Sequence, residues 1–351
     1  MTRTWLTSAG IAGLVVVGGA LHFAGAPAVA TFVVNGFALG GVAWTIGIAT
    51  ESVGAHYGPA VTGALQSTLG NLPELFIVVF ALSAGELVVA QFSILGSLFA
   101  NALLVLGLAL AVGSSKEPSG VMRFGKRLPN DTATLLLLAV FIISLLGVST
   151  RGGGTTTDNA VTISAIGAVL LLGVYVVWLW SYLRSEPKSE VAAAELAHGA
   201  LPFRAAVVLL AISGVAAALV SDWFVDALDP AVQKLGISKA FTGLVIVAIA
   251  GNAVENVVAV GLAAKGKHDL AISVVKNSVA QIACFLWPVL VLVSLAFTTH
   301  LTFVVPALYA GALVLTALAV WQITGDGEAA PFEGFARVAL YIVLATIVWF
   351  E

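Results

Sequence analysis

Two glutamates lie in stretches of the sequence that are otherwise apolar, and each closely follows a Gly-Asn pair. The stretches are Gly70-Asn71-Leu72-Pro73-Glu74 and Gly251-Asn252-Ala253-Val254-Glu255. A shift of 181 positions superposes the two glycines, the two asparagines and the two glutamates. Because a carboxylate inside an apolar, membrane-crossing segment is energetically costly, such a residue usually faces a cavity or an ion path. The pattern therefore indicates an internal repeat with a functional carboxylate at its centre.

Helix-breaking residues next to Glu74 suggest how backbone oxygens could bind a cation together with its carboxylate. Pro73 lacks an amide donor and its ring pushes against the preceding turn, so the helix is expected to kink or break there. Backbone carbonyls that a break frees can bind a cation together with the side chains of Asn71 and Glu74. In the second stretch Val254 replaces the proline, and the expected break depends on Gly251 alone.

Hydroxyl and amide side chains in the apolar runs that follow extend this set of oxygen donors. Ser97 and Asn101 are four residues apart, which places both on one face of a helix. Ser278 and Gln281 are the corresponding donors in the second half. The candidate metal ligands are therefore Glu74, Glu255, Asn71, Asn252, Ser97, Asn101, Ser278 and Gln281. No catalytic or cofactor-binding residue is predicted.

A site built only from oxygens, with two carboxylates, suits a hard divalent cation. Ca²⁺ takes about 6–8 oxygen ligands in flexible geometry, whereas Mg²⁺ keeps its waters and needs octahedral geometry, so the number of donors favours calcium. Protons compete with the metal for the same two carboxylates, which provides a mechanism for exchange. A single motif is also compatible with a glutamate that bonds a neighbouring helix beside a closely packed glycine. Two matched copies favour the ion site.

The composition indicates which elements must hold these side chains. Of the 351 residues, 60% are hydrophobic and 9% are charged, against about 25% charged residues in an ordinary soluble domain, which predicts an all-α polytopic membrane protein. About eleven apolar runs approach the roughly 20 residues that cross a bilayer. They cover residues 5–25, 30–50, 61–84, 87–113, 132–149, 160–183, 203–227, 240–264, 270–297, 301–323 and 335–350. The first run resembles a signal peptide, but it exceeds the usual core of about 7–15 residues and is interpreted as an uncleaved helix.

The two motifs lie in the third and the eighth of these runs, five spans apart. An odd offset inverts one repeat relative to the other, and inverted repeats that meet near the membrane midplane are typical of transporters. We expect one leading transmembrane helix (1–28), a first five-helix repeat (29–184), a cytoplasmic linker (185–201) and a second, inverted five-helix repeat (202–351).

Basic residues indicate the orientation of the chain in the membrane. Most of the lysines and arginines fall in loops on the side of the N-terminus, above all in the loop from Lys116 to Arg127. Arg337 is assigned to the same side, and the opposite side holds only Arg151, Lys234 and Lys239. Since cytoplasmic loops are enriched in Lys and Arg, the N-terminus is predicted to be cytoplasmic and the C-terminus to lie outside.

Longer stretches around both motifs resemble the calcium/proton exchangers, a branch of the calcium/cation antiporter superfamily. Residues 49–75, followed by Gly96-Ser97-Leu98-Phe99-Ala100-Asn101, look like the first signature repeat of this family, and residues 241–255 with 264–273 are similar to the second. The resemblance implies export of Ca²⁺ from the cytoplasm in exchange for protons. It implies Glu74 and Glu255 as the shared cation and proton ligands, and a location in the plasma membrane.

The second repeat departs from the family's pattern. Ala248 stands where a proline is usual, Asn256 where a histidine is usual, and residues 277–282 replace a Gly-Ser-Ser-x-Gln-Ile run. Lys276, just before that run, replaces an apolar residue. Its amine is expected to reach the membrane surface or to form an ion pair; the alternative is that it stands near the site in place of a cation.

Exchange of Ca²⁺ for H⁺ is the leading interpretation, and a sodium-coupled or monovalent cation/proton exchanger on the same scaffold is the alternative. A membrane-embedded hydrolase is another class, but the sequence pairs neither glutamate with a second catalytic group, so no enzymatic activity is expected. A purely structural membrane protein would tolerate the loss of both glutamates. The expected partners are inorganic cations and membrane lipid, not nucleic acid, and a homo-oligomer is left open. No cofactor is expected beside the transported Ca²⁺ and H⁺.

Overall fold

The computed structural model of the chain describes residues 2–57, 65, 68–185 and 201–351. Nearly all of its regular structure is helical. The α-helices are α1 (Thr2–Phe23), α2 (Ala28–Gly54), α3 (Leu72–Ser83), α4 (Leu87–Phe99), α5 (Leu106–Lys116), α6 (Arg127–Ser149), α7 (Thr155–Asp158), α8 (Ala160–Ser185), α9 (Phe203–Leu235), α10 (Lys239–Phe241), α11 (Ala248–Gly251), α12 (Ala253–Ala264), α13 (His268–Gln281), α14 (Trp287–Ser294), α15 (Ala307–Thr324) and α16 (Pro331–Phe350).

Short segments of other structure join or flank these helices. Three of them are π-helical: π1 (Ala100–Val105), π2 (Thr242–Val247) and π3 (Ile282–Leu286). Two short strands pair antiparallel, β1 (Met122–Arg123) with β2 (Glu328–Ala329), and Met122 lies opposite Ala329. π-helical turns are rare and occur frequently at functional sites.

Eight helices in the described part of the chain are long and apolar enough to cross a membrane. A ninth span results if the helices on the two sides of the break at Asn252 are counted together. Two further apolar helical stretches are shorter: Thr7–Phe23, which is part of α1, and Leu72–Ser83, which is α3. The protein is therefore a helical, multi-pass membrane protein, as predicted, whereas the count of eleven spans and the division into inverted five-helix repeats stay predictions. Of the predicted linker (185–201), only the two end residues, Ser185 and Leu201, belong to the described residues, and Ser185 is the last residue of α8.

Helix boundaries repeat along the chain with the same offset of 181 residues that aligns the two motifs. α3 and α12 are both 12 residues long and begin at Leu72 and Ala253. The helices that follow them begin at Leu87 and His268, again 181 apart. The turns between are closed by Gly85 and Gly266, with φ angles of 80° and 73°, a left-handed conformation that favours glycine. The internal repeat is thus present in the local structure as well as in the sequence.

The chain forms two compact units, and each unit takes residues from both halves of the sequence. Unit 1 contains residues 1–93 and 179–254 together with Glu351, and unit 2 contains residues 94–178 and 255–350. In unit 1, α9 packs against α2 and α3, and α1 packs against α2 and α9. In unit 2, α6 packs against α13 and α15, and α16 packs against α5 and π1.

Two details of the sequence interpretation are wrong. The seventh apolar run was expected to end near residue 227, but α9 continues through Pro230 to Leu235 and ends at Gly236, whose φ is 67°. A proline removes one helical hydrogen bond, and this helix continues past it. Arg337 does not lie in a loop, since it belongs to α16 and its side chain is completely buried.

Candidate cation site

Glu74 lies in the first turn of α3, immediately after a break in the chain's helical path. Asn71 precedes the helix with φ −87° and ψ 10°, and Pro73 occupies its first turn. A proline there loses no hydrogen bond, because the first amides of a helix have no partner within it. The side chain of Glu74 is only 1% exposed. The predicted break at the first motif is therefore confirmed, and it presents a buried carboxylate at a helix start.

The second motif is broken at the same place. α11 ends at Gly251, Asn252 has φ −100° and ψ 21°, and α12 begins at Ala253. The backbone N–H and the side-chain Nδ2 of Asn252 both donate to the carbonyl oxygen of Ala248, at 3.1 and 2.8 Å. Only the amide oxygen of an asparagine can contact a cation, and the hydrogen bond of Nδ2 fixes the orientation of this amide.

Parts of both motifs meet within unit 1. A Cβ atom built on Gly251 would lie 3.7 Å from the Cβ atom of Glu74. The other side of the second break faces α2, where a Cβ on Gly40 would lie 3.7 Å from that of Ala253. The carboxylate of the first motif and the glycine of the second are therefore neighbours.

Ser221 is a polar contact of the first motif that the sequence analysis missed. Its hydroxyl, buried in α9, donates to the carbonyl oxygen of Pro73 at 3.4 Å. A lone serine in an apolar run has no distinguishing pattern. Only the packing of α9 against α3 brings it to the break.

Glu255 occupies the equivalent position in unit 2, in the first turn of α12, with 7% of its surface exposed. Its Oε2 atom is buried, and so is the hydroxyl of Ser278; neither has a hydrogen-bond partner in the described part of the chain. Glu255 lies nine residues before the end of α12 and Ser278 lies ten residues after the start of α13. At about 1.5 Å per residue, both are about 14–15 Å along their helices from the turn that joins them.

Asn101 and Gln281 contribute further buried oxygens to unit 2. Nδ2 of Asn101 donates to the carbonyl oxygen of Ser97 at 3.1 Å, which agrees with the predicted shared helical face. Asn101 lies in π1, and Ser278 and Gln281 lie in α13, which packs against π1. Four of the eight predicted ligands, Ser97, Asn101, Ser278 and Gln281, are thus buried in neighbouring segments of one unit.

Lys276 takes neither of its two expected structural arrangements. Its side chain is completely buried, so the amine does not reach a surface. Nζ donates to the hydroxyl of Thr324 at 2.8 Å, and no carboxylate in the described residues pairs with it. The interpretation as a surface-reaching or ion-paired lysine is therefore wrong.

Two carboxylates of unit 1 outside the motifs, Glu86 and Asp229, share one lysine as their partner. Nζ of Lys239 lies 2.9 and 2.7 Å from the two carboxylate oxygens of Glu86 and 2.6 Å from Oδ1 of Asp229. In the described ranges no three His, Cys, Asp or Glu side chains form a group that could hold a metal ion. A cation site in this part of the chain would consist of single carboxylates with amide, hydroxyl and backbone oxygens, the donor set that calcium accepts.

Comparison with known proteins identifies related sequences along almost the whole chain. The sequence model of the sodium/calcium exchanger protein family matches residues 13–183 and 205–350. The chain is 33% identical over 325 residues to the vacuolar calcium ion transporter of Schizosaccharomyces pombe, covering 89% of this chain and 77% of that protein. It is 31% identical over 348 residues to the Ca²⁺/H⁺ antiporter ChaA of Bacillus subtilis, covering 97% of this chain and 96% of that protein.

A solved structure extends this similarity to three dimensions. The structure of native YfkE superposes with a TM-score of 0.81 at 28% sequence identity, and the match covers 99% of each chain.

Proposed function

Because this chain belongs to the sodium/calcium exchanger protein family, we propose that it is a secondary active antiporter that exchanges Ca²⁺ for H⁺ across a membrane. The observation that carries the proposal is the matched placement of two buried carboxylates. Glu74 and Glu255 each occupy the first turn of a 12-residue helix that follows a break at a Gly-Asn pair. The Bacillus subtilis relative, which aligns over 96% of its length, is a Ca²⁺/H⁺ antiporter by name.

Glu74 and Glu255 are the proposed shared ligands of the cation and the proton. Two protons or one Ca²⁺ ion neutralise the same two carboxylates, whereas leaving both charged and empty inside the membrane is costly. The two loaded states are therefore favoured over the empty one, and exchange follows from this competition. Neutral oxygens would complete the calcium shell, supplied by Asn71, Asn252, Ser97, Asn101, Ser278 and Gln281.

The proposed orientation has a cytoplasmic N-terminus, an external C-terminus and a location in the plasma membrane. It is supported by the basic loop from Lys116 to Arg127 and by Lys265 and Lys267, all on the N-terminal side. The burial of Arg337 removes one residue from this count and leaves its sign unchanged. Fusion of a cytoplasm-dependent reporter to each terminus tests the assignment.

Transport by the purified protein in proteoliposomes tests the function directly. An imposed pH gradient, acidic inside, should drive uptake of labelled Ca²⁺ without sodium, and a protonophore should abolish it. Because protons and Ca²⁺ compete, the KM for Ca²⁺ should rise when the pH on the calcium side is lowered. Ca²⁺ uptake that does not depend on the pH gradient would contradict the proposal.

A sodium-coupled or monovalent-cation exchanger is the second candidate, and the altered second repeat favours it. Lys276 and Asn256 replace residues that are typical of the calcium/proton exchangers, and the matching family model describes sodium/calcium exchangers. A sodium gradient at constant pH separates the two candidates. If it drives Ca²⁺ uptake while a pH gradient does not, the second candidate is correct.

A further inference from the structure

Two basic side chains are buried inside unit 2, and neither belongs to the proposed ligand set. Lys276 on α13 and Arg337 on α16 both have no exposed surface. Neither forms an ion pair with a carboxylate in the described residues. Glu333, one turn before Arg337, instead accepts a hydrogen bond from the backbone N–H of Ala330 at 2.7 Å. A basic side chain buried in this way is costly unless hydrogen bonds satisfy it, and the hydrogen bonds of these two join specific segments of unit 2.

The guanidinium group of Arg337 joins two helices through their backbones. Nη1 donates to the carbonyl oxygen of Ala102 at 3.0 Å, and Nη2 donates to that of Ala319 at 2.7 Å. Ala102 belongs to π1 and directly follows the proposed ligand Asn101. Because the guanidinium is planar and rigid, two simultaneous bonds fix the distance between these two carbonyls.

Lys276 makes the corresponding contact from α13. Its amine donates to the hydroxyl of Thr324 at 2.8 Å, and that hydroxyl donates in turn to the carbonyl oxygen of Val320. Lys276 precedes the proposed ligand Ser278 by two residues. Its hydrogen bond therefore anchors the end of α13 that carries Ser278.

Both basic side chains form hydrogen bonds with the same helix. Ala319 and Thr324 lie on α15, so α15 carries the anchors of both π1 and α13. A close approach lets Arg337 reach π1, since a Cβ on Gly107 would lie 2.7 Å from the carbonyl oxygen of Gly334 and 3.0 Å from Cβ of Arg337. Two bulkier residues at this crossing would force α16 away from α5.

We propose that Arg337 and Lys276 are positioning residues, which hold the ligand-bearing segments π1 and α13 against α15 and thereby set the affinity of the cation site. The inference rests on the proposed function, because it concerns the oxygens of Asn101 and Ser278 as ligands. A π-helical turn is a rare departure from the α-helical path, and a side-chain donor at one of its carbonyls stabilises that conformation. Residues that orient metal ligands typically change affinity by about 10–100-fold when they are lost.

The test compares Arg337→Met and Lys276→Met with the wild type in the proteoliposome assay. Each variant is expected to raise the KM for Ca²⁺ by about tenfold, with a smaller change in kcat per folded transporter. Arg123→Met is the matched control, because Arg123 is exposed in the same unit and pairs only with Glu328 among the described residues. Its KM should equal that of the wild type. A purely structural role would lower the amount of folded protein and leave the KM unchanged, and that result overturns the inference.

Arg337→Lys keeps the test decisive if Arg337→Met does not fold. Lysine retains the charge but has a single donor nitrogen, so it cannot reproduce the fixed spacing of the two guanidinium nitrogens that contact Ala102 and Ala319; a raised KM supports the inference and a wild-type KM overturns it. Failure of the proposed function gives a different result. If the wild type carries Na⁺ rather than Ca²⁺, the calcium proposal is wrong, and the same variants are compared by their KM for Na⁺.

Discussion

Gly251 lies against Glu74, so that a Cβ atom on the glycine would be 3.7 Å from the Cβ atom of the glutamate. Gly251 belongs to the second Gly-Asn motif and Glu74 to the first, and both residues lie in unit 1. A separation of 3.7 Å is an ordinary van der Waals contact. A methyl group on residue 251 would therefore fit and touch Glu74.

Enlarging Gly251 in steps should therefore change cation affinity in steps. Gly251→Ala adds only the tolerated methyl group, and its KM for Ca²⁺ should stay near the wild-type value. Gly251→Val adds further atoms beside Glu74, and a strain of about 1–3 kcal/mol in the cation-bound state corresponds to a KM raised about 5–150-fold. Gly261→Val is the control, because no atom lies within 4 Å of a Cβ at that helical position. Equal KM values for the two valine variants would contradict the prediction.

Neutralising either proposed ligand should nearly abolish exchange. Glu74→Gln and Glu255→Gln keep the volume of the side chain but remove the charge that attracts Ca²⁺ and the group that carries the proton. We expect a loss of Ca²⁺ uptake of at least about a hundredfold in each single variant, as for a lost charged ligand worth about 3 kcal/mol. Glu328→Gln, at a half-exposed surface position, should transport normally. Full activity of both motif variants would refute the shared-ligand mechanism.

A methyl group at Gly334 should destabilise the protein. A Cβ there would collide with the backbone nitrogen of Ala111 and the carbonyl oxygen of Gly107, and backbone atoms cannot move aside as a flexible side chain can. We expect Gly334→Ala to lower the free energy of unfolding by about 1–3 kcal/mol, measured as a fall in Tm in detergent. Gly311→Ala, where no atom lies within 4 Å, should keep the wild-type Tm or exceed it. A normal Tm for Gly334→Ala would mean that the crossing of α5 and α16 is looser than described.

Removing Lys239 should lower the free energy of unfolding only slightly, by an amount that depends on the salt concentration. Lys239→Met leaves Glu86 and Asp229 without their shared counterion, but the lysine is 36% exposed and the pairs are screened by solvent. The expected loss is about 1 kcal/mol or less in dilute buffer, and it should shrink at about 1 M salt. The measurement is Tm at both ionic strengths, with the exposed Lys234→Met as the control. A loss that is the same at both ionic strengths would show that packing, rather than charge, is responsible.

The local features of the candidate site could be predicted from the sequence, because they depend on a few adjacent residues. Glycine and asparagine are poor helix formers, and Pro73 adds a steric block in the first motif only; the breaks at Asn71 and Asn252 are where the two motifs place them. The 181-residue offset likewise predicts the matched starts of α3 and α12. Multi-pass character follows from composition alone.

Features that depend on distant partners could not be predicted. The hydroxyl that binds the amine of Lys276 lies 48 residues further along the chain, and the carbonyl that binds Arg337 lies 235 residues earlier. No local pattern encodes either distance. A π-helical turn such as π1 differs from an α-helical one by a single residue of hydrogen-bond offset and has no composition of its own. The same holds for Ser221, an ordinary serine until α9 packs against α3.

The interleaving of the two units has a consequence for how the nascent chain matures. Unit 1 is incomplete until residues 179–254 have been synthesised after residues 1–93. Unit 2 is likewise incomplete until residues 255–350 have been synthesised. At a synthesis rate of about 5–20 residues per second, roughly 8–30 s pass between the end of the synthesis of residues 1–93 and the end of that of residues 179–254, which complete their unit. During that interval Glu74 already lies in the membrane without Gly251 beside it. Helpers of membrane insertion should therefore act on this chain chiefly while its first half is alone.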